Sequence, residues 1–303
     1  MFKPDLMRGQ RVLITGGGTG LGKSMAAKCL SLGANVVICG RRKEVCDEAA
    51  AQLVMRHGGI VDTFGIDIRD AAAVDAMVGE IFSSEPLTAL VNNAAGNFIS
   101  PTEALSPRGF DAIANIVMHG TFYVTQAVGK HWIAGGWKPG DPMRSVMSIV
   151  VTWIDHGGPF VVPSTMSKSA VDAMTKSLAT EWARYGIRLN TVGPGEIPTD
   201  GMSKRLTPGE IPGERIKEAN PMGRHGTLDE LGNLAAFLLA PGCDWLTGQS
   251  IMFDGGQYLT NPGTFYELRK WSSAQWRQAR QMIQHQNDLD KSARGANSQG
   301  EAR

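Results

Sequence analysis

The stretch that decides the fold is Arg11–Gly22, with the sequence RVLITGGGTGLG. Its first apolar residues predict a short buried strand, and the segment that follows has helical periodicity. The turn between them holds five glycines, so backbone N–H groups and the helix N-terminus converge without Cβ atoms in the way, as in a phosphate site. A glycine cluster alone indicates only a tight turn. Between a first strand and a first helix it favours a pyrophosphate site at Gly16, Gly20 and Gly22.

Outward from this stretch, short apolar runs rich in β-branched residues alternate with longer segments of helical period, which is typical of a parallel sheet. The predicted strands are Arg11–Thr15, Asn35–Cys39, Ile60–Ile66, Leu87–Asn92, Ser145–Val151, Ile187–Val192 and Ser250–Phe253. The predicted helices are Leu21–Leu32, Lys43–Arg56, Ala71–Ser83, Arg108–Trp132, Ser167–Tyr185 and Leu228–Ala240. The pattern predicts an α/β fold, a single Rossmann-type, doubly wound parallel sheet of seven strands with helices on both faces.

One dinucleotide-binding catalytic domain is expected over residues 1–260, with an extension behind it. Residues 194–221 are rich in proline, glycine and charge. They follow a strand at the edge where ligands of such sheets bind, so we expect a substrate lid, with an ordinary surface loop as the alternative. Residues 261–303 are expected to form a C-terminal helical extension, with a helix over Phe265–Met282 and a polar, disordered tail over Asn287–Arg303.

Composition argues against several classes of function. The 30 Lys and Arg residues nearly balance the 29 Asp and Glu residues, so we expect neither nucleic acid nor a membrane surface as partner, but a small molecule. The four cysteines have neither the spacing of a zinc site nor the density of a disulfide scaffold, and no metal is expected. The sequence shows no signal-peptide pattern and no run of about 20 apolar residues. A soluble, intracellular protein is expected, cytoplasmic if the source is bacterial.

The end of the second predicted strand bears on the choice of cofactor. This point lies beside the adenosine ribose of a bound dinucleotide, where a carboxylate would accept from the 2′-hydroxyl. Here the strand ends in Gly40, Arg41 and Arg42, which offer guanidinium groups to a 2′-phosphate instead. The pattern favours NADP(H) over NAD; the alternative is that both arginines are solvated charges in the first turn of a helix.

Three motifs carry a family resemblance. Thr15–Gly22, Asn92–Gly96 and Pro194–Thr199 resemble those of the short-chain dehydrogenase/reductase family, and the resemblance extends over about Arg8–Gly256. It implies that Asp67 reaches the adenine, that the residues after Asn92 line the cofactor cleft, and that Ile197 and Thr199 contact the nicotinamide amide. The residues expected to bind the cofactor are Thr15, Gly16, Gly20, Leu21, Gly22, Arg41, Arg42, Asp67, Asn93, Ala94, Ala95, Gly96, Lys168, Pro194, Gly195, Ile197 and Thr199.

The chain departs from the family pattern at its proton carrier. Members usually have a tyrosine four residues before a catalytic lysine, which lowers the tyrosine pKa, and a serine about a dozen residues earlier. Lys168 is present here, but Ser164 stands at the tyrosine position, and Thr152 is the hydroxyl nearest to the serine position. This departure argues against an ordinary ketone or alcohol reductase.

A subgroup that lacks this tyrosine, the 2,4-dienoyl-CoA reductases, shows a closer resemblance. The segments that carry it are Asn92–Pro101, Phe160–Ser164, Gly248–Gly256 and the tail around Phe265–Trp276. In mitochondrial-type members a tyrosine and an asparagine bind the thioester carbonyl, while a serine and the lysine act on the cofactor side. The resemblance implies these last two roles for Ser164 and Lys168.

The other two roles do not carry over directly. Trp153 stands at the position of that tyrosine, and His119, just before Gly120, at that of the asparagine. In peroxisomal-type members an aspartate one helical turn after the lysine helps to hold a catalytic water, and Asp172 matches it.

The chemistry also follows from the residues. Hydride addition to the far end of a conjugated dienoyl thioester leaves negative charge on the thioester oxygen, which needs hydrogen-bond donors. The His119 ring and the Trp153 indole are donors that need no ionisation. Lys168 and Asp172 have i, i+4 spacing, which would let them hold a water and deliver its proton. The alternatives are that His119 and Trp153 line the core or cleft, and that Lys168 and Asp172 form an ordinary helix pair.

The leading hypothesis is therefore an NADPH-dependent reductase of unsaturated acyl-CoA thioesters, as in the β-oxidation of fatty acids. A carbonyl reductase or alcohol dehydrogenase with another proton carrier, and a degenerate NADP-binding sensor or scaffold, are the alternatives. The phosphates of CoA would call for basic groups, for which Lys204, Arg205, Arg224, Arg269 and Lys270 are available. Resemblance to the family also implies a homotetramer.

Overall fold

The computed structural model describes residues 1–199 and 219–260, and beyond these residues 268, 270–279, 281–283, 285 and 288. The chain divides into two compact units, Met1–Tyr258 and Leu259–Arg303. The strands of the first unit are β1 Arg11–Thr15, β2 Asn35–Gly40, β3 Val61–Gly65, β4 Ala89–Asn92, β5 Arg144–Ile149, β6 Ile187–Pro194 and β7 Ser250–Phe253. Its described helices are α1 Gly20–Ser31, α2 Lys43–His57, α3 Ala71–Ser84, α4 Pro107–Ala114, α5 Thr121–Ala134, α6 Val162–Glu181 and α7 Leu228–Leu239.

The strands form one seven-stranded sheet in the order β3-β2-β1-β4-β5-β6-β7. Each neighbouring pair is parallel. The order reverses beside β1, where the chain crosses from β3 to β4, and in such sheets ligands bind at the carboxyl ends of the strands near this point. The predicted Rossmann-type fold is confirmed.

The core has one layer on each face of the sheet, and β1 shows why. All five residues of β1 are buried, and because strand side chains alternate, they feed both layers. Val12 and Ile14 pack with residues of α1, α2 and α7. Leu13 packs with residues of α3, α5 and α6. A strand covered on both faces reads as a continuous apolar run, as predicted for a parallel sheet.

Two predicted helices differ from the structure. The single helix expected over Arg108–Trp132 is interrupted between α4 and α5 by a π-helical segment, Asn115–Gly120. A Cβ on Gly120 would lie 2.7 Å from the Ile68 side chain, so this segment runs close to the loop after β3. The helix expected from Ser167 begins at Val162 instead. Pro163 lies in its first turn, where a missing N–H costs no helix hydrogen bond.

In the second unit, described residues 273–279 and 281–283 are helical, which overlaps the range Phe265–Met282 expected for a helix and extends past its end. Ser272 caps this helix, since its Oγ accepts from the Gln275 N–H at 3.3 Å and its own N–H donates to Gln275 Oε1 at 2.8 Å. Phe265 and nearly all of the expected disordered tail lie outside the described residues. In the described part of the chain, no helix has the length and apolar character needed to cross a membrane.

Candidate functional site

The end of β1 is joined to the end of β4 by a compact set of hydrogen bonds. Thr15 Oγ1 accepts the N–H groups of Asn93 and Ala94, both at 3.0 Å. Asn93 adds two hydrogen bonds in the opposite direction, because its Nδ2 donates to the carbonyl of Thr15 at 2.9 Å and to that of Gly16 at 3.3 Å. The structure therefore places the glycine turn beside the segment Asn93–Gly96, as expected from the sequence.

The glycine turn leaves no room for side chains at its closest points. A Cβ on Gly22 would lie 2.4 Å from the Gly16 carbonyl oxygen and 2.5 Å from Asn93 Nδ2. Gly16 and Gly20 have φ values of +65° and +53°, a conformation that favours glycine. Thr19, the N-cap residue of α1, makes no side-chain capping bond, and the first turn of α1 has no acidic residue. This backbone cradle at a helix N-terminus fits a pyrophosphate.

The ends of β2 and β3 form a cationic corner beside this cradle. Arg41 and Arg42 directly follow β2, and both are exposed. Asp67 follows β3, and its two carboxylate oxygens each accept from Arg69 Nε at 3.0 Å, while Arg69 Nη2 adds a 2.5 Å bond. The hydrogen bonds from Arg69, and to a smaller degree the charge of Arg41, lower the pKa of Asp67. Because Arg69 partners the Asp67 carboxylate, Asp67 adds no unpaired negative charge to this corner.

Lys168 is buried on the inner face of α6. Its Nζ donates to the carbonyl of Ile149, the last residue of β5, and burial lowers the pKa of Lys168 to about 8. Ser164 lies one turn earlier on the same buried face. The structure brings these two predicted residues together at the carboxyl edge of β5, where the ammonium is close to its titration point at neutral pH.

Asp172 has different partners from those expected. Its Oδ2 accepts from Lys176 Nζ at 2.6 Å, and its Oδ1 accepts from Thr191 Oγ1 at 2.8 Å and Ser250 Oγ at 2.5 Å. Burial by itself raises the pKa of Asp172, but the bonds from Lys176, Ser250 and Thr191 together outweigh burial and lower it. Asp172 and Lys168 form no direct ion pair, because the carboxylate faces β6 and β7 while Lys168 faces β5. The predicted water between them stays a prediction. These contacts favour an anchor between α6 and the sheet over the predicted proton relay.

Trp153 lies in a 3₁₀ turn, Thr152–Ile154, directly behind β5. Its indole nitrogen is buried and has no hydrogen-bond partner among the described residues. The neighbouring Gly158 packs against the ring, since a Cβ there would lie 3.0 Å from two of its carbons. A buried N–H without a partner costs stability, and such groups cluster where a ligand supplies the missing acceptor.

His119 lies in the π-helical segment, and its side chain is exposed. Its ring is 6.2 Å, between centroids, from the ring of Tyr123 on α5. Single π-helical turns inside α-helices occur frequently at functional sites. Sequence reasoning identified His119 but missed the π-helical geometry that exposes it.

The segment after β6 returns to the glycine turn. The Gly195 N–H donates to the Phe253 carbonyl at 3.0 Å, and a Cβ on Gly195 would lie 2.7 Å from Asp254 Cβ. Ile197 is buried in the core on the α1 side of the sheet. Thr199 Cγ2 lies 3.7 Å from the Cβ position of Gly20. Of the residues expected to bind the cofactor in this segment, Thr199 therefore lies beside the cradle.

Most of the expected lid, residues 200–218, lies outside the described residues, as do three of the basic groups considered for CoA, Lys204, Arg205 and Arg269. Of the remaining two, Arg224 is engaged, because it donates to Glu230 Oε2 at 3.0 Å and to Oε1 at 2.7 Å. Lys270 belongs to the second unit. Among the described residues, no group of three His, Cys, Asp or Glu side chains is placed to hold a metal ion.

Comparisons with known proteins agree with this geometry. A family model described as enoyl-(acyl carrier protein) reductase matches residues 16–258. Probable 2,4-dienoyl-CoA reductase 3 of Caenorhabditis elegans, which is named as (3E)-enoyl-CoA-producing, is 42% identical over 298 residues, 96% of this chain and 94% of that protein. The probable 2,4-dienoyl-CoA reductase of Bacillus subtilis (strain 168), named as (2E)-enoyl-CoA-producing, is 39% identical and covers 86% of this chain and all of its own length (100%).

A similar solved structure is that of a gluconate 5-dehydrogenase from Burkholderia cenocepacia J2315 in complex with NADP and tartrate. It matches with a TM-score of 0.76 at 31% identity, over 84% of this chain and 97% of that one.

The Asp172 contacts generate a test of its anchoring role. Asp172→Asn removes the charge that pairs with Lys176 and turns an amide N–H₂ toward other hydrogen-bond donors. We therefore predict a loss of about 1–3 kcal/mol in the free energy of unfolding, or roughly 3–10 °C in the thermal midpoint. Lys176→Gln is the matched control; its partly exposed ion pair contributes at most about 1 kcal/mol, so its midpoint should shift by a few degrees at most. An unchanged or raised midpoint for Asp172→Asn would contradict the anchor and favour the relay.

Proposed function

The chain belongs to the short-chain dehydrogenase/reductase family, and within it we propose an NADPH-dependent reductase of 2,4-dienoyl-CoA thioesters. One observation carries the proposal: Ser164, not a tyrosine, lies one turn before the buried Lys168, so the site lacks the phenol that exchanges a proton with a carbonyl oxygen. Relatives at about 40% identity that are named as 2,4-dienoyl-CoA reductases support the choice of substrate.

NADP(H) is the proposed cofactor, and the residues present fit it. The glycine cradle receives the pyrophosphate through backbone N–H groups, and Arg41 and Arg42 are exposed where the 2′-phosphate would lie. The neighbouring Asp67 is partnered by Arg69, so its charge opposes a phosphate less than a bare carboxylate would. When bound, the nicotinamide supplies the hydride; binding and orientation are the work of the protein residues.

Stabilisation of the thioester oxygen is assigned to Trp153. Hydride addition to a dienoyl thioester spreads negative charge onto that oxygen, and a preorganised donor stabilises the charge without being ionised. The indole N–H behind β5 is buried and unpartnered among the described residues, so it has no bond to break when an acceptor arrives. His119, exposed on the π-helical segment, is proposed as a second donor.

Lys168 and Ser164 are proposed to act on the cofactor side and in protonation. With a pKa of about 8, the Lys168 ammonium gives up a proton to water more readily than an ordinary lysine does, and its bond to the Ile149 carbonyl fixes its position. A water near Lys168 then delivers the proton to the substrate carbon. The observed Asp172 contacts support this source better than a water held between the two charges.

A carbonyl reductase or alcohol dehydrogenase is the second candidate, favoured by the likeness to a gluconate 5-dehydrogenase. It requires a proton carrier other than the family tyrosine. The NADP-binding sensor or scaffold is disfavoured because Lys168, Ser164 and the glycine cradle are all retained, and a buried lysine with a pKa of about 8 suits proton transfer as well as cofactor binding. The homotetramer stays a prediction from resemblance.

The substrate class is tested by NADPH oxidation with 2,4-hexadienoyl-CoA, a 2-enoyl-CoA and a simple ketone offered in parallel. We predict turnover of the dienoyl thioester with NADPH, much less with NADH, and none for Lys168→Ala. Turnover of the ketone in preference to the thioester would establish the second candidate. Tight NADPH binding without turnover of any of the three would support the sensor.

The Trp153 donor is tested by Trp153→Phe, which keeps an aromatic ring and removes only the N–H. We predict a loss of kcat of roughly 10²-fold, the scale of one donor to a developing oxyanion, with the NADPH dissociation constant unchanged. Trp132→Phe is the matched control, because its indole donates to the Leu87 carbonyl at 2.6 Å, before β4 at the opposite edge of the sheet. Equal losses of kcat in both variants would remove Trp153 from the chemistry.

A further inference from the structure

The turn between Trp153 and α6 contains a strained residue that the mechanism does not use. Phe160 has φ = +64° and is the one non-glycine residue in the described part of the chain with a positive φ. This conformation is unfavourable for an L-residue, and a bulky side chain adopts it rarely. Strain of this kind persists only where the surroundings hold it, and it clusters at ligand sites.

Hydrogen bonds hold the backbone on both sides of the strained residue. The Phe160 carbonyl accepts the N–H of Ser100 at 2.9 Å, which joins the turn to the segment after β4. The next carbonyl, that of Val161, accepts from Thr165 through its N–H at 3.0 Å and its Oγ1 at 3.2 Å. Val161 itself is buried. The strained backbone is therefore held by the segment after β4 and by the first turn of α6.

The Phe160 side chain gains little packing in return for this strain. It is 59% exposed, although large aromatic side chains usually contribute to folding by burial. Ile99, beside Ser100, and Met166, in the first turns of α6, are also about half exposed, at 47% and 54%. Two residues before Phe160, Gly158 packs on the Trp153 ring. The same turn thus packs on the Trp153 ring through Gly158 and carries the exposed side chain of Phe160.

We propose that Phe160 binds the hydrocarbon tail of the acyl thioester, beyond the conjugated double bonds, and sets the preference for chain length. This inference rests on the proposed function. The occupant is an acyl chain because the exposed ring lies on the turn that packs against Trp153, the proposed donor for the thioester oxygen, and exposed apolar side chains are what a hydrocarbon chain contacts. Hydrogen bonds of the fold hold the strained backbone, but the ring that it presents is exposed and adds little to folding, which favours a contact with a hydrophobic substrate.

The strain is tested by comparing Phe160→Gly with Phe160→Ala. Both remove the ring, but only glycine adopts φ = +64° without cost. We expect the thermal midpoint of Phe160→Gly to exceed that of Phe160→Ala by roughly 2–4 °C, the reverse of the order found at ordinary positions. A midpoint for Phe160→Ala equal to or above that of Phe160→Gly would overturn the strained conformation.

The acyl contact is tested with the same two variants on 2,4-hexadienoyl-CoA and 2,4-decadienoyl-CoA. We expect kcat/KM for the longer substrate to fall about tenfold, the scale of one lost apolar contact, and kcat/KM for the shorter one to fall less than about twofold, because it has little tail to contact the ring. The dissociation constant of NADPH should not change. Phe237→Ala is the control, since Phe237 is similarly exposed at 47%. It lies near the end of α7, where the Leu238 carbonyl accepts a hydrogen bond from the beginning of β5 and not from its carboxyl end.

The outcomes separate this inference from the proposed function. Equal losses on both substrates, or no loss on either, would overturn the chain-length role while the reductase activity stands. Absence of turnover by the unaltered protein with both thioesters would overturn the proposed function and the acyl contact with it, and the glycine–alanine comparison would still decide whether the backbone is strained.

Discussion

The site depends on one contact between β1 and the segment after β4. At the end of β1, the Thr15 side chain accepts hydrogen bonds from two backbone N–H groups of that segment. Parallel strands have their carboxyl ends at one edge, and the crossover beside β1 separates the two halves of the sheet there. The Thr15 and Asn93 bonds close this point. They bring the glycine cradle beside the strand ends that carry the proposed catalytic groups. If these bonds were lost, the cradle and the catalytic side would no longer share a fixed geometry.

A second constraint is the fixed position of α6, which carries the proposed catalytic residues. Its inner face is anchored to β5 through Lys168 and to β6 and β7 through Asp172. Two charged groups four residues apart thus have different tasks: one ammonium with a lowered pKa at the carboxyl edge, and one carboxylate satisfied by three donors. Buried charges are tolerated when each is paired and hydrogen-bonded. The result is a rigid helix that carries Ser164 and Lys168 as a unit, which is what a preorganised site requires.

The fold and much of the site follow from short-range patterns. The continuous apolar run of β1 predicts burial on both faces, and the glycines at 16 and 22 predict a turn without Cβ atoms; both predictions depend on residues close in sequence. The choice of partners for Asp172 has a different origin. Lys168 and Lys176 both lie four residues from Asp172, so spacing alone does not show which lysine the carboxylate contacts. The positions of Thr191 and Ser250 in the folded chain decide it. Likewise, the π-helical turn at His119 and the positive φ of Phe160 arise from packing against distant segments, for which the local sequence carries no signal.

The central claim is that the site accommodates charge on a thioester oxygen instead of protonating a carbonyl, and the position of the transferred hydride tests it most directly. NADPH deuterated at C4 would be used to reduce 2,4-hexadienoyl-CoA in ordinary water, and the product analysed by NMR. The account predicts deuterium at C5, the far end of the conjugated system, with the second hydrogen taken from solvent. Deuterium at C3 would contradict addition at the far end of the diene, although it too leaves charge on the thioester oxygen. Deuterium at a carbonyl carbon reduced to an alcohol would contradict the central claim.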